Sequence, residues 1–290
     1  LEKRGMKQSP KEKNMGFICP ICKGPLFYAE KEHAFRCQKG HSYDLASEGY
    51  LYLLPPNRKH SKMPGDDKKM VAARRRCLER GTYQIFGDAL DQIASRCLSQ
   101  KDSPVILDAG CGEGWYTNGL KESLLQEGKT PLVFGFDISK FAVKAAAKQY
   151  PGISFAVGSS FEIPFSDCGA DLLLDVFSPV MPQEFLRVVK PGGIFLLAVP
   201  GERHLFGYKE ILYEHPYENE HRKTEYDGFS FLERIPVRGE LKLHDREAIM
   251  DLFAMTPYAW KTPKEGIERL EQTETLKTEI VFDWIVYQKD

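Results

Sequence analysis

Two groups of residues in this chain have the types and the spacing to do chemistry. The first is Cys19-Pro20-Ile21-Cys22, followed by Cys37 and then by His41. Two cysteines with two residues between them can grip one ion from a single turn, and a second pair on a facing turn completes a tetrahedron. Gly24-Pro25 and Gly40 stand where such knuckles reverse direction. With all four positions taken by protein the site is closed, so the spacing predicts one structural zinc on Cys19, Cys22, Cys37 and His41. His33 lies off this pattern and reads as a surface residue.

The second group is an apolar run, Val105-Ile106-Leu107, that ends in Asp108-Ala109-Gly110-Cys111-Gly112-Glu113-Gly114. Gly110, Gly112 and Gly114 let a backbone turn approach a ligand closely where a strand feeds a helix. A bare G-x-G-x-G is shared with dinucleotide enzymes. Here the spacing is not the G-x-G-x-x-G of a pyrophosphate cradle. Asp108, just before the turn, would also repel a pyrophosphate and attract an ammonium group.

These residues need a scaffold, and the pattern from about residue 86 onward supplies one. Apolar runs at 105–108, 132–137, 153–157, 171–177 and 193–200 alternate with helical stretches at 117–126, 140–149 and 183–189. That alternation predicts an α/β fold whose parallel strands are covered by helices on both faces. Residues 242–244 and 279–287 read as two final strands, antiparallel to each other. Three regions result: a zinc-binding module at 15–54, a basic linker and helix at 55–85, and a catalytic domain at 86–290.

No apolar run approaches the roughly 20 residues that span a bilayer, and the polar, basic beginning predicts no signal peptide. The chain opens on Leu1, and the segment before Met15 reads as an extension. Seven cysteines are present, an odd number, and Cys77, Cys97, Cys111 and Cys168 each stand alone. This argues against a disulfide framework and for a reducing cytoplasm.

The string D-A-G-C-G-E-G, the acidic strand end Phe136-Asp137, Ile163-Pro164-Phe165 and the turn Lys190-Pro191-Gly192-Gly193 together resemble class I S-adenosylmethionine methyltransferases. The resemblance covers roughly residues 86–290. It implies a Rossmann-like sheet of seven strands, the last one antiparallel, with Asp137 accepting hydrogen bonds from both ribose hydroxyls. Ser159 and Ser160 fall where such enzymes contact the adenine, although an Asp is common at the first of these positions.

More specific strings resemble the RlmA family nearly end to end: C-P-x-C with its later Cys and Gly-His, G-D-D-K-K-M-V-A-A-R-R-R-C-L-E-R-G-T-Y, C-G-E-G-W-Y-T, P-G-E-R-H-L and M-T-P-Y-A-W. Membership implies methylation of guanine N1 in a hairpin loop of 23S ribosomal RNA by a cytoplasmic homodimer. It implies cofactor contacts from Tyr83, Trp115, Tyr116 and His204, and a bearing on antibiotic sensitivity.

Between Asn57 and Arg80 nine Lys/Arg (58, 59, 62, 68, 69, 74, 75, 76, 80) face three acids (66, 67, 79). Asp66 or Asp67 can cap a helix here, ended by Gly81. Arg74, Arg75 and Arg76 then form either a solvated face or a track for RNA phosphates. Guanine N1 carries a proton that must leave before its lone pair can attack, so a base is required; His204 and Asp175 are candidates. Ser178-Pro179, after Phe177, occupies the loop where related enzymes hold the target base, and Phe177 and Trp260 offer stacking faces. Two other functions compete. A small-molecule methyltransferase gives no reason for the zinc knuckle, and a non-catalytic zinc-ribbon RNA-binding protein on a Rossmann scaffold predicts a damaged glycine loop.

Overall fold

The computed structural model describes residues 16–56, 64–220 and 225–290. Three short strands come first: β1 (Phe27–Ala29), β2 (Ala34–Arg36) and β3 (Ser42–Asp44), then β4 (Tyr50–Tyr52). Helices α1 (Lys68–Glu79) and α2 (Gln84–Cys97) lead into β5 (Val105–Ala109), α3 (Trp115–Gln126), β6 (Leu132–Asp137), α4 (Lys140–Gln149) and β7 (Ser154–Val157). There follow β8 (Ala170–Val176), α5 (Pro182–Val188), β9 (Val189–Pro200), α6 (Phe206–Leu212) and β10 (Phe229–Leu243). The chain ends with α7 (Arg246–Ala254), α8 (Tyr258–Lys261), α9 (Lys264–Glu271) and β11 (Leu276–Lys289).

The main sheet runs β10-β11-β9-β8-β5-β6-β7-β4, beside a separate antiparallel sheet β1-β2-β3. Neighbours from β9 through β4 pair in parallel, and β11 is antiparallel to both β9 and β10. The expected seven strands with an antiparallel last strand are therefore present. An eighth was not expected: β4, from the cysteine-rich region, pairs Leu51 with Ala156 on β7. Strand β10 also begins at Phe229, well before 242. Pro236 and Gly239 within it look like breakers, but β10 is an edge strand, where a missing N–H costs no ladder bond on the outer side.

Side-chain alternation divides the core into two layers. On one face Ile106, Leu172, Leu196 and Trp284 meet Leu90, Leu120 and Val143 of α2, α3 and α4. On the other face Leu107, Phe134, Leu173 and Phe195 meet α5 and the cysteine-rich region, through Phe17, Phe35, Leu51 and Leu53. Phe17 lies edge-on to Phe134 at 5.4 Å and to Phe165 at 6.0 Å. A helix was expected over this part of the sheet, and the zinc module takes that place.

Asp67 caps α1, accepting from the amides of Lys69 and Met70 at 2.7 and 2.9 Å, so the capping role falls to Asp67 and leaves Asp66 for another partner. Because Leu51 is fully buried between β7 and the second core layer, Leu51→Ala should cost about 2–5 kcal/mol. Denaturant unfolding should show one cooperative transition at lower midpoint. An early separate transition for the cysteine-rich region alone would contradict its integration into the sheet.

Candidate functional site

The four predicted metal ligands converge. Cys19 Sγ lies 3.5 Å and Cys37 Sγ 3.3 Å from His41 Nδ1, Cys22 Sγ lies 3.5 Å from Cys37 Sγ, and all four donor atoms fall within 4.8 Å of one another. Donors at zinc–nitrogen and zinc–sulfur bond lengths around one tetrahedral ion stand roughly 3.3–3.8 Å apart, so the set fits. Backbone bonds build the knuckles: Cys19 N–H donates to Gly24 O at 2.8 Å, and Gly40 N–H donates to Cys37 O at 3.0 Å. Tyr43, which the spacing did not single out, places its hydroxyl 3.0 Å from Cys19 Sγ. Burial opposes ionisation of Cys19, but this hydroxyl and the Cys22 and Ile21 amides prevail and bring its thiol down to about 6. His33 pairs with the Tyr28 hydroxyl at 2.9 Å and is no ligand.

The glycine loop hangs between two strand ends. The N–H groups of Gly110 and Cys111 donate to Phe136 O at 2.8 and 3.0 Å, and Gly112 N–H donates to Asp137 Oδ2 at 3.0 Å. Gly110 and Gly112 have φ of +82° and +55°, which only glycine adopts without strain. A Cβ on Gly110 would also stand 2.4 Å from Ser178 Cβ. Asp137 receives a second amide, from Ser139 at 2.7 Å, while burial pushes its carboxyl upward.

Asp108 accepts from Thr117 Oγ1 at 2.6 Å through Oδ2, and its buried Oδ1 has no protein partner. Burial raises its carboxyl to about 7. A buried, unpartnered carboxylate oxygen beside a glycine loop suits a cationic ligand group. Ser159 and Ser160 follow β7 half-buried, with Ser159 Oγ accepting from the Phe161 amide at 3.3 Å.

One aromatic cluster gathers most of the remaining candidates. Phe86 lies 4.6 Å from Phe282, 5.7 Å from Tyr116 and 5.8 Å from Phe177, centroid to centroid. Tyr83 lies 5.4 Å from Phe282, and His204 only 4.0 Å from it. Trp115 joins through Tyr116 at 4.9 Å and packs on Gly87. Phe177 is held at φ +61° and stays 48% exposed. Trp260 stands apart on α8, 71% exposed. Phe86 and Phe282 were not foreseen as site residues, since antiparallel pairing across the sheet brings β11 to this edge.

His204, one of the two candidate bases, is buried against Phe282. Burial, then the charge of Lys209, lower its imidazolium to about 3. Its Nδ1 accepts from Val281 N–H at 3.3 Å, which leaves the proton on Nε2. A neutral donor results. Ser178 is likewise committed, its Oγ donating to Ala109 O at 2.8 Å and its N–H to Asp175 Oδ1 at 3.0 Å. Asp175 keeps a buried Oδ2 without a partner, and burial lifts its carboxyl to about 7.

Of the two readings left open for Arg74, Arg75 and Arg76, neither is decided by their partners within the chain. Arg74 pairs with Asp66, Arg75 with Glu79 and Gln149, and Arg76 and Arg80 with Asp251, which is buried on α7. Packing of α1 against α7 and α4 gives these charges partners, while the Arg75, Arg76 and Arg80 side chains stay 41, 46 and 36% exposed. Arg58, Lys59 and Lys62 lie outside the described residues. A cavity of about 390 Å³ is lined by Pro200, Gly201, Arg203, Arg234, Arg238 and Asp283, among others. No glycine-loop residue lines it. Arg203 there pairs with Glu218 and Glu279, and Arg234 and Arg238 pair with Asp283.

A zinc-ribbon family model described as RlmA, N-terminal, matches residues 17–62, and a methyltransferase-domain model matches residues 100–235. The Bacillus subtilis (strain 168) protein YxjB, provisionally named a 23S rRNA (guanine-N(1)-)-methyltransferase, is 30% identical over 94% of this chain and 97% of its own length. The 23S rRNA (guanine(748)-N(1))-methyltransferase of Streptomyces fradiae is 30% identical over 87% of this chain and 88% of that one. A demethylmenaquinone methyltransferase of Geobacillus stearothermophilus is 26% identical, but over 53% of this chain and 74% of its own.

Purified without added metal, the protein should carry about one zinc per chain. Cys37→Ser should lower that content well below one and reduce the melting temperature of the whole chain, because Phe17 and β4 belong to the main core. Full zinc content in the variant would remove Cys37 from the ligand set.

Proposed function

The chain belongs to the RlmA family, and we propose on that premise how its residues divide the work of methylating a ribosomal guanine. It is an S-adenosylmethionine-dependent 23S rRNA (guanine-N1) methyltransferase with a structural zinc. The observation that carries this reading is similarity over nearly the whole chain, with the zinc cluster and the glycine loop both intact. The small-molecule enzyme covers about half, and an undamaged loop counts against a merely RNA-binding protein.

In this reading Gly110, Gly112 and Gly114 cradle the cofactor, Asp108 Oδ1 takes its ammonium group, and Asp137 takes its ribose. Ser159 and Ser160 border the adenine. Tyr83, Trp115, Tyr116 and His204 wall the cleft from the aromatic side. When bound, the cofactor supplies an electrophilic methyl group, so the protein's task is alignment of an in-line displacement and removal of the N1 proton.

Phe177, exposed and strained at the end of β8, offers the stacking face for guanine, and Ser178 fixes that loop against the glycine turn. Neutral His204 donates Nε2–H toward O6 and makes N1 more acidic. Asp175, whose carboxyl sits near neutrality, is the better-matched proton acceptor. The partner is a hairpin loop of 23S rRNA met by a homodimer in the cytoplasm, with 15–54 and 55–85 as module and linker to the 86–290 domain. No helix among the described residues is long and apolar enough to cross a membrane.

Mass mapping of 23S rRNA from cells with and without the gene should show one guanine losing N1 methylation. Asp175→Asn should lower kcat by about 10²–10⁴ while binding of S-adenosylhomocysteine persists; an unchanged kcat would exclude it as the base. Binding should also depend on pH. In the free protein Asp108 titrates at about 7, and only its ionised form attracts an ammonium group. Affinity for S-adenosylhomocysteine should hold above pH 7 and fall by up to about tenfold per unit below it. Asp108→Asn should flatten that profile; a flat wild-type profile would remove Asp108 from the ammonium site.

A further inference from the structure

One charge beside the glycine loop has no part in the reading above. Helix α1 is brought across the loop by its leading residues. Ser139 Oγ donates to Asp66 O at 2.6 Å, and a Cβ on Gly65 would stand 2.9 Å from side-chain atoms of Ile138 and Ser139. This docks the start of α1 on the turn that follows Asp137. Two turns into the helix, Arg74 reaches back over the loop, with Nη1 3.9 Å from where a Cβ on Gly112 would be. Its guanidinium pairs with Asp66, and Nη2 lies 3.5 Å from Met255 O. The side chain is 23% exposed.

The rest of the arginine triplet turns elsewhere, Arg75 to Glu79 and Gln149 and Arg76 to Asp251. Arg75 borders Glu113 and Trp115 with its side chain 41% exposed, whereas Arg74 is the member of the triplet that reaches Gly112 itself. What it finds there is negative. Asp108, Glu113 and Asp137 are all buried or half-buried about the loop, and the fields of Asp66, Glu113 and Asp137 all favour the charged guanidinium. Glu113 Oε2 and Asp108 Oδ1 are left without protein partners.

The amino-acid end of S-adenosylmethionine is a zwitterion. Asp108 can serve its ammonium group, but its carboxylate would enter a region that already holds three acidic side chains. A carboxylate lodges there only beside a cation, and the planar fork of arginine matches two carboxylate oxygens. We propose that Arg74 binds the carboxylate of the cofactor's methionine end, sharing its guanidinium between that group and Asp66. The inference rests on the cleft being a cofactor site, as proposed above. It moves Arg74 from the RNA to the cofactor.

The test compares two ligands that share an adenosine thioether and differ in the amino-acid end. S-adenosylhomocysteine carries the carboxylate, and 5′-methylthioadenosine lacks it. Calorimetric titration of the wild-type chain, Arg74→Ala and Arg74→Lys with both ligands separates recognition from support. Arg74→Ala should weaken S-adenosylhomocysteine by roughly 10- to 100-fold, the scale of a charge-assisted pair, and leave 5′-methylthioadenosine within about twofold. Arg74→Lys keeps the charge without the fork and should fall between. If Arg74→Ala fails to fold, judged by its melting curve, Arg74→Lys carries the test through the same ligand contrast. Equal weakening of both ligands would make Arg74 a prop for the loop and overturn the proposal. So would unchanged binding of both. A wild-type chain that binds neither ligand would overturn the cofactor reading itself, a result distinct from failure of Arg74 alone.

Discussion

Two carboxylates buried at the ends of adjacent parallel strands, Asp108 on β5 and Asp137 on β6, set the terms for everything around them. Removing charge from water is costly, and burial raises both carboxyls, Asp108 to about 7. The chain offsets this with Thr117 on one, two amides on the other, and a cation laid over the loop. Between about pH 4 and 7 folded Asp108 retains a proton that the unfolded chain has lost. Its burial therefore opposes folding progressively more as pH rises through that window. A cationic ligand reverses the sign of that contribution, so the site is least comfortable empty at neutral pH.

The second organising feature is the replacement of a helical cover by a metal-stapled module. A stretch of about 40 residues cannot bury enough apolar surface to fold by itself without a staple. Here zinc ties the knuckles, and Phe17, Phe35 and Leu51 spend their apolar surface against Phe134, Phe165 and the rest of the sheet. Metal binding and the stability of the catalytic sheet thus become one equilibrium.

Much of this was legible in the residues. The C-x2-C spacing, the later Cys and His, the glycine loop and Asp108 could be read because each needs only local geometry, and Asp137 through the family resemblance. A cap of α1 at Asp66 or Asp67 was readable for the same reason, and the structure chooses Asp67. What stayed hidden depends on distant partners. Nothing near Arg76 announces Asp251, which lies 175 residues away, so the ion pairs of the arginine run appear only once α7 is placed. The surroundings of His204, its ring against Phe282 and Val281 donating to Nδ1, are likewise set by a distant strand. Strand β4 has three residues and no signal apart from the sheet it joins.

That short strand also imposes an order on folding during synthesis. A ribosome delivers the N-terminus first, yet Leu51 of β4 finds its neighbour only when Ala156 has emerged. Strand β11, which ends the chain, must insert between β9 and β10. Zinc can close the knuckles early, but the apolar flank of the module stays uncovered while about a hundred further residues are made. Contacts of such long sequence separation form slowly. A module closed by zinc at that stage leaves Phe17, Phe35 and Leu51 without the sheet residues they pack on, a greasy face that only the later strands can cover.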